Sequence, residues 1–399
     1  MKVIALVLFF SFSLHSKAMS FVEAINALSE HDSIKEIGHK AKSYEAQASL
    51  KGSWGDPKLM VAAKNFPEDS LNRDQTPMTG IEIGISQKIS LTTKYSNIKK
   101  SFNSLAKASA HDADDRKKRL SSTLWNTLII QRKVREELKI LKENSAWITK
   151  ILKVSKRLYS TGKSSQQAIL EIQIRKSEIE TDISNQSYEL REVDDQLIYL
   201  VGSKKIDATT IPWSVIDTVS KKRSDYRKMS LKEKLKAKDL DLSASKLNYI
   251  PDLTVSLGLT KRSNIDGNGD FVSASVSFPL PFSSEKYSKH GAAVQEKYSM
   301  ERKYQNFEKA KLRDISVYKN KIKKLESELK ILKEKTVKYA KNSRAITSKS
   351  YGLGDSTYIE LLQSELKLQK ILIQKIMLKA EKDMSKVALK YILGEPLNG

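Results

Sequence analysis

The stretch DGNGD, residues 266–270, carries side chains that could bind a metal ion. Its oxygen-bearing side chains alternate along the chain, as they do at the start of a calcium-binding loop. The next residue is Phe271 instead of the glycine that such loops use for a sharp turn, and Ser277 stands where an acid should close the loop. An exposed loop between two strands, on the outside of the cell, therefore explains this stretch better than a calcium site.

A second stretch, HDADD, places His111 and Asp115 four residues apart, and hence on one face of a helix. Histidine and carboxylate are both metal ligands, but no second histidine lies nearby and zinc sites need three or four ligands. His31 and His39 are eight residues apart in a predicted helix, and we regard that spacing as incidental. A hydrated charged surface is the better interpretation of HDADD.

Nothing in the sequence indicates catalysis. The chain contains no cysteine, which excludes disulfides, thiolate metal sites, cysteine nucleophiles and an acylated lipoprotein cysteine. No Ser/His/Asp order, phosphate-binding loop or paired-carboxylate context stands out. We predict that the protein is not an enzyme and that it has no cofactor and no metal site.

The N-terminus has the features of a secretory signal peptide. Met1 and Lys2 precede the apolar run VIALVLFFSFSL, which is too short to span a bilayer comfortably, and small residues follow at Ser16 and Ala18. We predict a signal peptide over residues 1–18, cut after Ala18. The mature protein then leaves the cytoplasm, and soluble, periplasmic and outer-membrane barrel fates all remain open.

The chain is strongly basic, with 71 Lys and Arg against 47 Asp and Glu and a formal charge of +24 over 399 residues. Clusters such as RKKR (Arg116–Arg119) and KKR (Lys221–Arg223) would suit nucleic acid. Export from the cytoplasm argues against that partner, so we predict no nucleic-acid binding. Solvation of helix faces, or attraction to anionic lipid or to an acidic partner surface, explains the lysines better.

The chain is an internal duplication. The stretch YGLGDSTYIELL (Tyr351–Leu362) resembles YSTGKSSQQAIL (Tyr159–Leu170) at an offset of 351 − 159 = 192 residues. The later stretches YLVG and YILG keep that offset, since 394 − 202 = 192. We therefore predict two structural repeats, residues 19–202 and 223–399, that residues 203–222 join.

Each repeat combines long helices with a pair of strands, an α+β organisation. Alternation of apolar and polar residues predicts β-hairpins over residues 57–91 and 251–282. Helical periodicity predicts one helix over residues 21–52. It also predicts a long helix and a returning helix in each repeat, over residues 92–159 and 163–201 and then 285–350 and 356–393. The Gly162 and Gly354 stretches become sharp turns between helices.

The alternating strands allow two interpretations. Strands of this length with one apolar and one polar face are typical of transmembrane β-barrels, but a soluble sheet with one hydrated face alternates in the same way. The signal peptide favours the barrel. Four strands cannot close a barrel, because membrane barrels begin at about eight strands, so several chains would have to share it. The alternative is a secreted or periplasmic coiled-coil scaffold or adhesin without a channel.

Taken together, the duplication, the Y-x-x-G-x-[ST] turns at Tyr159 and Tyr351, the hairpins and the leucine-patterned helices resemble the TolC-type outer-membrane efflux proteins, and the metal-efflux subgroup among them. The resemblance covers essentially the whole mature chain. It implies a homotrimer, with a twelve-stranded barrel in outer-membrane lipid and a long helical tunnel across the periplasm. It also implies a periplasmic adaptor protein and an inner-membrane pump of the RND type as partners.

The resemblance further implies roles for the turn residues. The adaptor would dock on the tips, which correspond to Thr161, Gly162, Lys163, Leu353, Gly354 and Asp355. Acidic residues that ring the closed periplasmic entrance correspond to Glu360 and to Gln363, where the acid is absent, and Tyr351 matches a tyrosine that ties the tips together. Three copies of Glu360 around an axis would favour cations. A solvated carboxylate on a helix face is the alternative role for Glu360.

Overall fold

The structure is a computed structural model, and it describes residues 18–280 and 282–398. The predicted signal peptide lies outside the described residues, except for Ala18. None of the helices in these two ranges carries an apolar stretch long enough to cross a membrane.

The described residues form long helices and a small antiparallel sheet, which confirms the α+β fold class. The helices within the described ranges are α1 (Phe21–Ser29), α2 (Asp32–Lys51), α3 (Lys94–Ser160), α4 (Gln166–Val201), α5 (Tyr226–Leu247), α6 (Glu285–Ile331), α7 (Val337–Leu353) and α8 (Tyr358–Leu393). The strands described there are β1 (Lys58–Lys64), β2 (Gly80–Ile89), β3 (Leu253–Arg262) and β4 (Phe271–Ser277). Short 3₁₀ turns at Ala208–Thr210 and Trp213–Ile216 lie in the segment that joins the repeats.

The chain folds as two compact units that do not follow the sequence repeats. The sheet unit consists of residues 32–116 and 225–312, and it contains the strands, α2 and α5. The helical unit consists of residues 18–31, 117–224 and 313–398. Each unit therefore takes matching segments from both repeats.

The sheet unit contains an antiparallel sheet in the order β1-β2-β3-β4. The central pair, β2 and β3, joins the first repeat to the second, with Gly80 opposite Arg262 and Ile89 opposite Leu253. Because side chains alternate across a strand, this register aligns the alternating residues of neighbouring strands in continuous rows.

One face of the sheet is apolar and exposed. Ile83, for example, is 56% exposed, and it lies between Val61 of β1 and Leu259 of β3. The exposed apolar side chains of this face are Leu59, Val61, Ile81, Ile83, Ile85, Leu257, Leu259, Val272 and Val276. Nothing within the described residues covers them.

The opposite face of the sheet is polar and rich in glycine. Glu82 lies on this face and is only 4% exposed. Its carboxylate pairs with Lys64 and lies over Gly258, where a Cβ atom would come within 2.3 Å of Glu82 Oε1. The sheet therefore buries a carboxylate on one face while it exposes isoleucine and leucine on the other, which is the reverse of a water-soluble sheet.

The helical unit packs α3 and α4 against α7 and α8. One cluster of buried side chains between these helices contains Ile148, Ile151, Leu158, Ile172, Ile179, Tyr351 and Leu361. Full burial of each aliphatic side chain contributes about 1.5–3 kcal/mol, so this seam fixes how the two helical hairpins lie together.

The first described residues of the chain are held in the helical unit. Met19 pairs with Ile206 in a parallel bridge, and the Phe21 ring contacts Trp125 at 5.0 Å between centroids. Trp125 in turn contacts Trp213 and donates from Nε1 to the Leu397 carbonyl at 2.8 Å. This cluster joins the start, the middle and the end of the chain.

Two long helices differ from their predicted bounds. The single helix predicted over residues 21–52 is divided into α1 and α2. α1 ends at Ser29, where the amide of the C-cap residue Glu30 donates to the Ala27 carbonyl. The break falls where the chain passes from the helical unit to the sheet unit. In residues 285–350 a π-helix at Leu332–Thr336 separates α6 from α7. Buried Leu332 and Val337 are five residues apart, and the wider π turn accommodates the extra residue.

Candidate functional site

The first helical hairpin ends in a turn that Gly162 makes possible. Gly162 has φ +71°, in the left-handed region that favours glycine. Its amide donates to the Tyr159 carbonyl at 3.0 Å, and the Lys163 amide donates to the Leu158 carbonyl at 2.8 Å. The Thr161 hydroxyl also donates to Leu158. These bonds satisfy the last carbonyls of α3, as in a Schellman motif.

The second hairpin repeats this turn. Gly354 has φ +90°, and its amide donates to the Tyr351 carbonyl at 3.1 Å. The Asp355 amide donates to the Ser350 carbonyl at 2.9 Å, again five residues back. The matched hydrogen bonds show that the two Y-x-x-G stretches have one backbone geometry.

The returning helices begin with different caps. Ser165 accepts the Ala168 amide at 3.2 Å and caps α4. Thr357 accepts the Glu360 amide at 3.2 Å, and Glu360 Oε2 accepts the Thr357 amide at 3.0 Å, which is a complete capping box. The Glu360 carboxylate therefore has a structural role that its first-repeat counterpart, Ala168, cannot perform.

The predicted docking residues are all accessible. They are Thr161, Gly162, Lys163, Leu353, Gly354 and Asp355, and each is exposed. Glu360 and Gln363 are also exposed, so their side chains face solvent in the single chain. Lys163 in one tip and Asp355 in the other give the exposed turns both signs of charge.

Tyr351 differs from the other predicted site residues because it is buried, at 3% exposure. Its hydroxyl lies 3.0 Å from Ser155 Oγ on α3, and its ring belongs to the seam around Leu361. Tyr351 therefore joins α7 to α3 within one chain.

A buried ion pair was not predicted from the sequence. Arg175 of α4 and Glu365 of α8 lie 3.1 Å apart, Nε to Oε2, and the Glu365 side chain has 0% exposure. Arg175 also donates from Nη1 to the exposed Glu178 at 3.0 Å. The two occupy positions between apolar seam residues, and such polar positions fix the register of packed helices.

Further amides extend this pair to the other two helices. Arg175 donates to Gln369, which accepts from Asn144 of α3 at 3.1 Å. Asn144 in turn accepts from Arg344 of α7, and the Arg344 guanidinium stacks on Trp147 at 5.1 Å from the ring centroid. One continuous hydrogen-bond network therefore links α4, α8, α3 and α7.

The electrostatics of Glu365 are unusual. Burial raises the pKa of the Glu365 carboxyl above its ordinary value, and the nearby Arg175 offsets only part of that effect. Glu365 Oε1 is buried and has no hydrogen-bond partner among the described residues. The sequence does contain a signal for this buried charge. Arg175 falls three residues after Ile172 and four before Ile179, a position at which the helical pattern expects an apolar residue.

The two stretches considered for metal binding have other contacts. In the loop between β3 and β4, the Asp266 carboxylate is held by Arg262, which also donates to the Pro77 carbonyl at 2.7 Å. His111 stacks on Tyr226 at 6.3 Å between centroids. Across residues 18–280 and 282–398, no three His, Asp or Glu side chains converge as a metal site would require.

The fold is that of known outer-membrane channels. VceC, an outer-membrane protein of Vibrio cholerae, is similar with a TM-score of 0.77 and 14% identity over 94% of this chain and 96% of that protein. The CmeC outer-membrane channel of Campylobacter jejuni is similar at 0.75 and 17% identity, over 93% and 84%. CusC, whose structures describe transmembrane channel formation, is similar at 0.75 and 14%, over 96% of each chain. No protein-family model and no curated protein sequence matches the chain.

At these identities the likeness shows the fold alone. The resemblance to the TolC-type outer-membrane efflux proteins is thus confirmed at the level of the fold, over nearly the whole chain.

Proposed function

We propose that this chain is one subunit of a homotrimeric outer-membrane channel that exports solutes in a tripartite efflux system. The protein passively conducts substrates that an inner-membrane pump of the RND type and a periplasmic adaptor deliver. The sheet lies in outer-membrane lipid, and the long helices extend through the periplasm. The barrel-forming interpretation of the strands is preferred over a soluble scaffold.

The exposed apolar face of the sheet is the observation that carries this proposal. Rows such as Val61, Ile83 and Leu259 are exposed in the single chain, while Glu82 is buried on the other face. Water would favour the opposite arrangement, because each half-exposed aliphatic side chain forgoes part of the roughly 1.5–3 kcal/mol that full burial would contribute. Lipid outside and a hydrated channel inside satisfy both faces.

The edges of the sheet support a trimer. β1 and β4 are the outer strands in the described sheet, and each has an unpaired edge there. Such edges are templates for pairing with another chain. If β4 of one copy pairs with β1 of the next, three copies give 3 × 4 = 12 strands, which exceeds the minimum of about eight for a membrane barrel.

The tips of the helical hairpins are the surface that we assign to the adaptor. They are exposed, they share one backbone geometry, and they carry Lys163 and Asp355 beside the two glycines. Glu360 and Gln363 follow the second tip on α8, where three copies would surround the entrance of the helical tunnel. We propose that Glu360 makes that entrance selective for cations.

Fractionation of cells that produce the full chain tests this function. The protein should be recovered with the outer membrane, run as a heat-labile trimer in mild detergent and conduct ions in planar bilayers. As a control, a periplasmic marker should wash off the same membranes. A stable water-soluble monomer in the absence of detergent would contradict the proposal.

A further inference from the structure

We propose that a pocket beside the start of α6 binds a phosphate-bearing anion. This pocket, which we call the Lys286 pocket, has a volume of 330 Å³ and lies within the sheet unit. The charged residues that line it are Lys88, Lys94, Asp252, Glu285, Lys286 and Lys289. Four ammonium groups face two carboxylates, so the formal charge of the pocket is 4 − 2 = +2.

The ammonium group of Lys286 is the strongest indication that the pocket binds a ligand. Its Nζ atom is enclosed by protein and has no hydrogen-bond partner among the described residues. An enclosed ammonium group without a partner is unfavourable, because it has lost water and gained nothing in exchange. An anion in the pocket would supply the missing acceptor.

The acids in the pocket are already engaged. Asp252 forms ion pairs with Lys94 at 2.8 Å and with Lys88 at 3.0 Å, and it accepts a hydrogen bond from the Tyr95 hydroxyl at 3.0 Å. Glu285 pairs with Lys289 one turn along α6. The Glu285 carboxylate also attracts Lys286, but each of the two acids already pairs with another lysine, so the pocket keeps a surplus of positive charge.

The start of α6 adds to this positive charge. α6 begins at Glu285, so the amides of its first turn have no acceptor within the helix. A helix N-terminus also carries a partial positive charge and binds phosphate groups. Since a phosphate ester carries about −1.5 to −2 at neutral pH, its charge matches the +2 of the pocket better than a single carboxylate does.

The position of the pocket selects a dissolved anion over a lipid headgroup. Lys88 is opposite Thr254 in the register, and Thr254 is opposite Ser277, so these residues lie on the polar face of the sheet. The neighbouring residues of the apolar face, Val255 and Val276, point the other way. That the anion reaches the Lys286 pocket from the interior of a channel rests on the proposed function. Binding of the anion requires only the sheet unit.

Equilibrium dialysis of the detergent-purified full chain against radiolabelled inorganic phosphate at low salt tests the inference. The wild-type protein should bind phosphate, and Lys286→Gln should weaken binding at least about tenfold, the effect of roughly 1.4 kcal/mol. Lys286→Arg, which keeps the charge, should retain binding. Lys261→Gln serves as the matched control, because Lys261 is exposed near the other end of the sheet.

The arms of the experiment separate the outcomes. No binding by the wild-type protein, or equal binding by Lys286→Gln, would overturn the inference. Competition by vesicles of phosphatidylglycerol, but not of phosphatidylcholine, would identify a lipid headgroup and overturn the dissolved anion. Channel conductance is recorded separately, so a conducting protein without phosphate binding refutes only the pocket.

Discussion

Glu365 Oε2 on α8 lies 3.1 Å from Arg175 Nε on α4, and both side chains are buried in the seam between the helical hairpins. Neither residue occupies an equivalent position in the other repeat, since 175 + 192 = 367 is a lysine and 365 − 192 = 173 is a glutamine. The duplication therefore does not repeat this ion pair, which belongs to one side of the contact between α4 and α8.

Breaking this pair should destabilise the helical unit. Arg175→Met leaves the Glu365 carboxylate buried and unpaired, which costs about 3–5 kcal/mol. Arg175→Met with Glu365→Leu should recover most of that loss, because the second change removes the buried charge. Thermal unfolding of the single and double variants measures the coupling, and a double variant that is no more stable than Arg175→Met would contradict the prediction.

Stability should also depend on pH through Glu365. Its pKa is raised by burial, so in the interval between the ordinary carboxyl pKa, about 4.3, and the raised folded value the folded protein holds a proton that the unfolded chain releases. The free energy of unfolding then falls as pH rises through that interval and levels off above it. Glu365→Gln should remove this component, and Glu178→Gln, at the exposed partner of Arg175, should keep it. Parallel pH profiles for wild type and Glu365→Gln in chemical denaturation would refute this assignment.

Glu360 allows its charge to be tested apart from its structural role. Glu360→Gln keeps a side chain that completes the capping box with Thr357, whereas Glu360→Ala loses it and should cost about 0.3–1.5 kcal/mol. Both variants should lower the preference for cations in planar bilayers, but only Glu360→Ala should lower the unfolding temperature. Unchanged cation selectivity in Glu360→Gln would contradict the selectivity role and would show that the Glu360 carboxylate acts only as a helix cap.

The two faces of the sheet should respond differently to charge. Ile83→Lys puts an ammonium group on the apolar face, which the proposed function exposes to lipid, and a lysine at the bilayer midplane costs about 2–4 kcal/mol. Ser256→Lys puts the same group on the polar face, two residues from Thr254. The yield of heat-labile trimer in outer membranes should drop for Ile83→Lys and persist for Ser256→Lys. Equal yields would place both faces in water.

The tip glycines should resist substitution for a conformational reason. Gly354→Ala forces a Cβ atom into a φ of +90°, which costs roughly 1–2 kcal/mol. Gly38→Ala, in the interior of α2 where nothing lies within 4 Å of the new atom, should instead stabilise by about 0.5–1 kcal/mol. Opposite shifts in unfolding temperature are expected, and a shift of the same sign in both variants would contradict the strained-turn argument.

Sequence patterns were sufficient for the local elements of this fold. Alternation in β2 and the helical periodicity of the long helices are local signals, and the matched glycines at 162 and 354 follow from the left-handed backbone of the two turns. The grouping of matching segments from both repeats into each unit could not be predicted, because it depends on contacts between residues far apart in the chain. The π-helix after Ile331 could not be predicted either, because it aligns Leu332 and Val337 with residues of α8, which are distant in the sequence.

The candidate site was predicted less completely than the fold. The exposed tips follow from turn chemistry, and the capping box at Thr357 and Glu360 is visible as a T-x-x-E pattern. The ion pair between Arg175 and Glu365 requires knowledge of which helix faces which, and so does the contact between Tyr351 and Ser155. Residues 190 and 196 positions apart meet in these two contacts.

The pairing of β2 with β3 joins distant parts of the chain, and this bears on the export that we propose. The paired residues are separated by 262 − 80 = 182 positions at one end and 253 − 89 = 164 at the other. A chain that emerges with its N-terminus first exposes the isoleucines of β2 long before their partner strand arrives, and such exposed strands aggregate readily. On the proposed route to the outer membrane, we therefore expect β2 to need protection from aggregation until about two thirds of the polypeptide has been translocated.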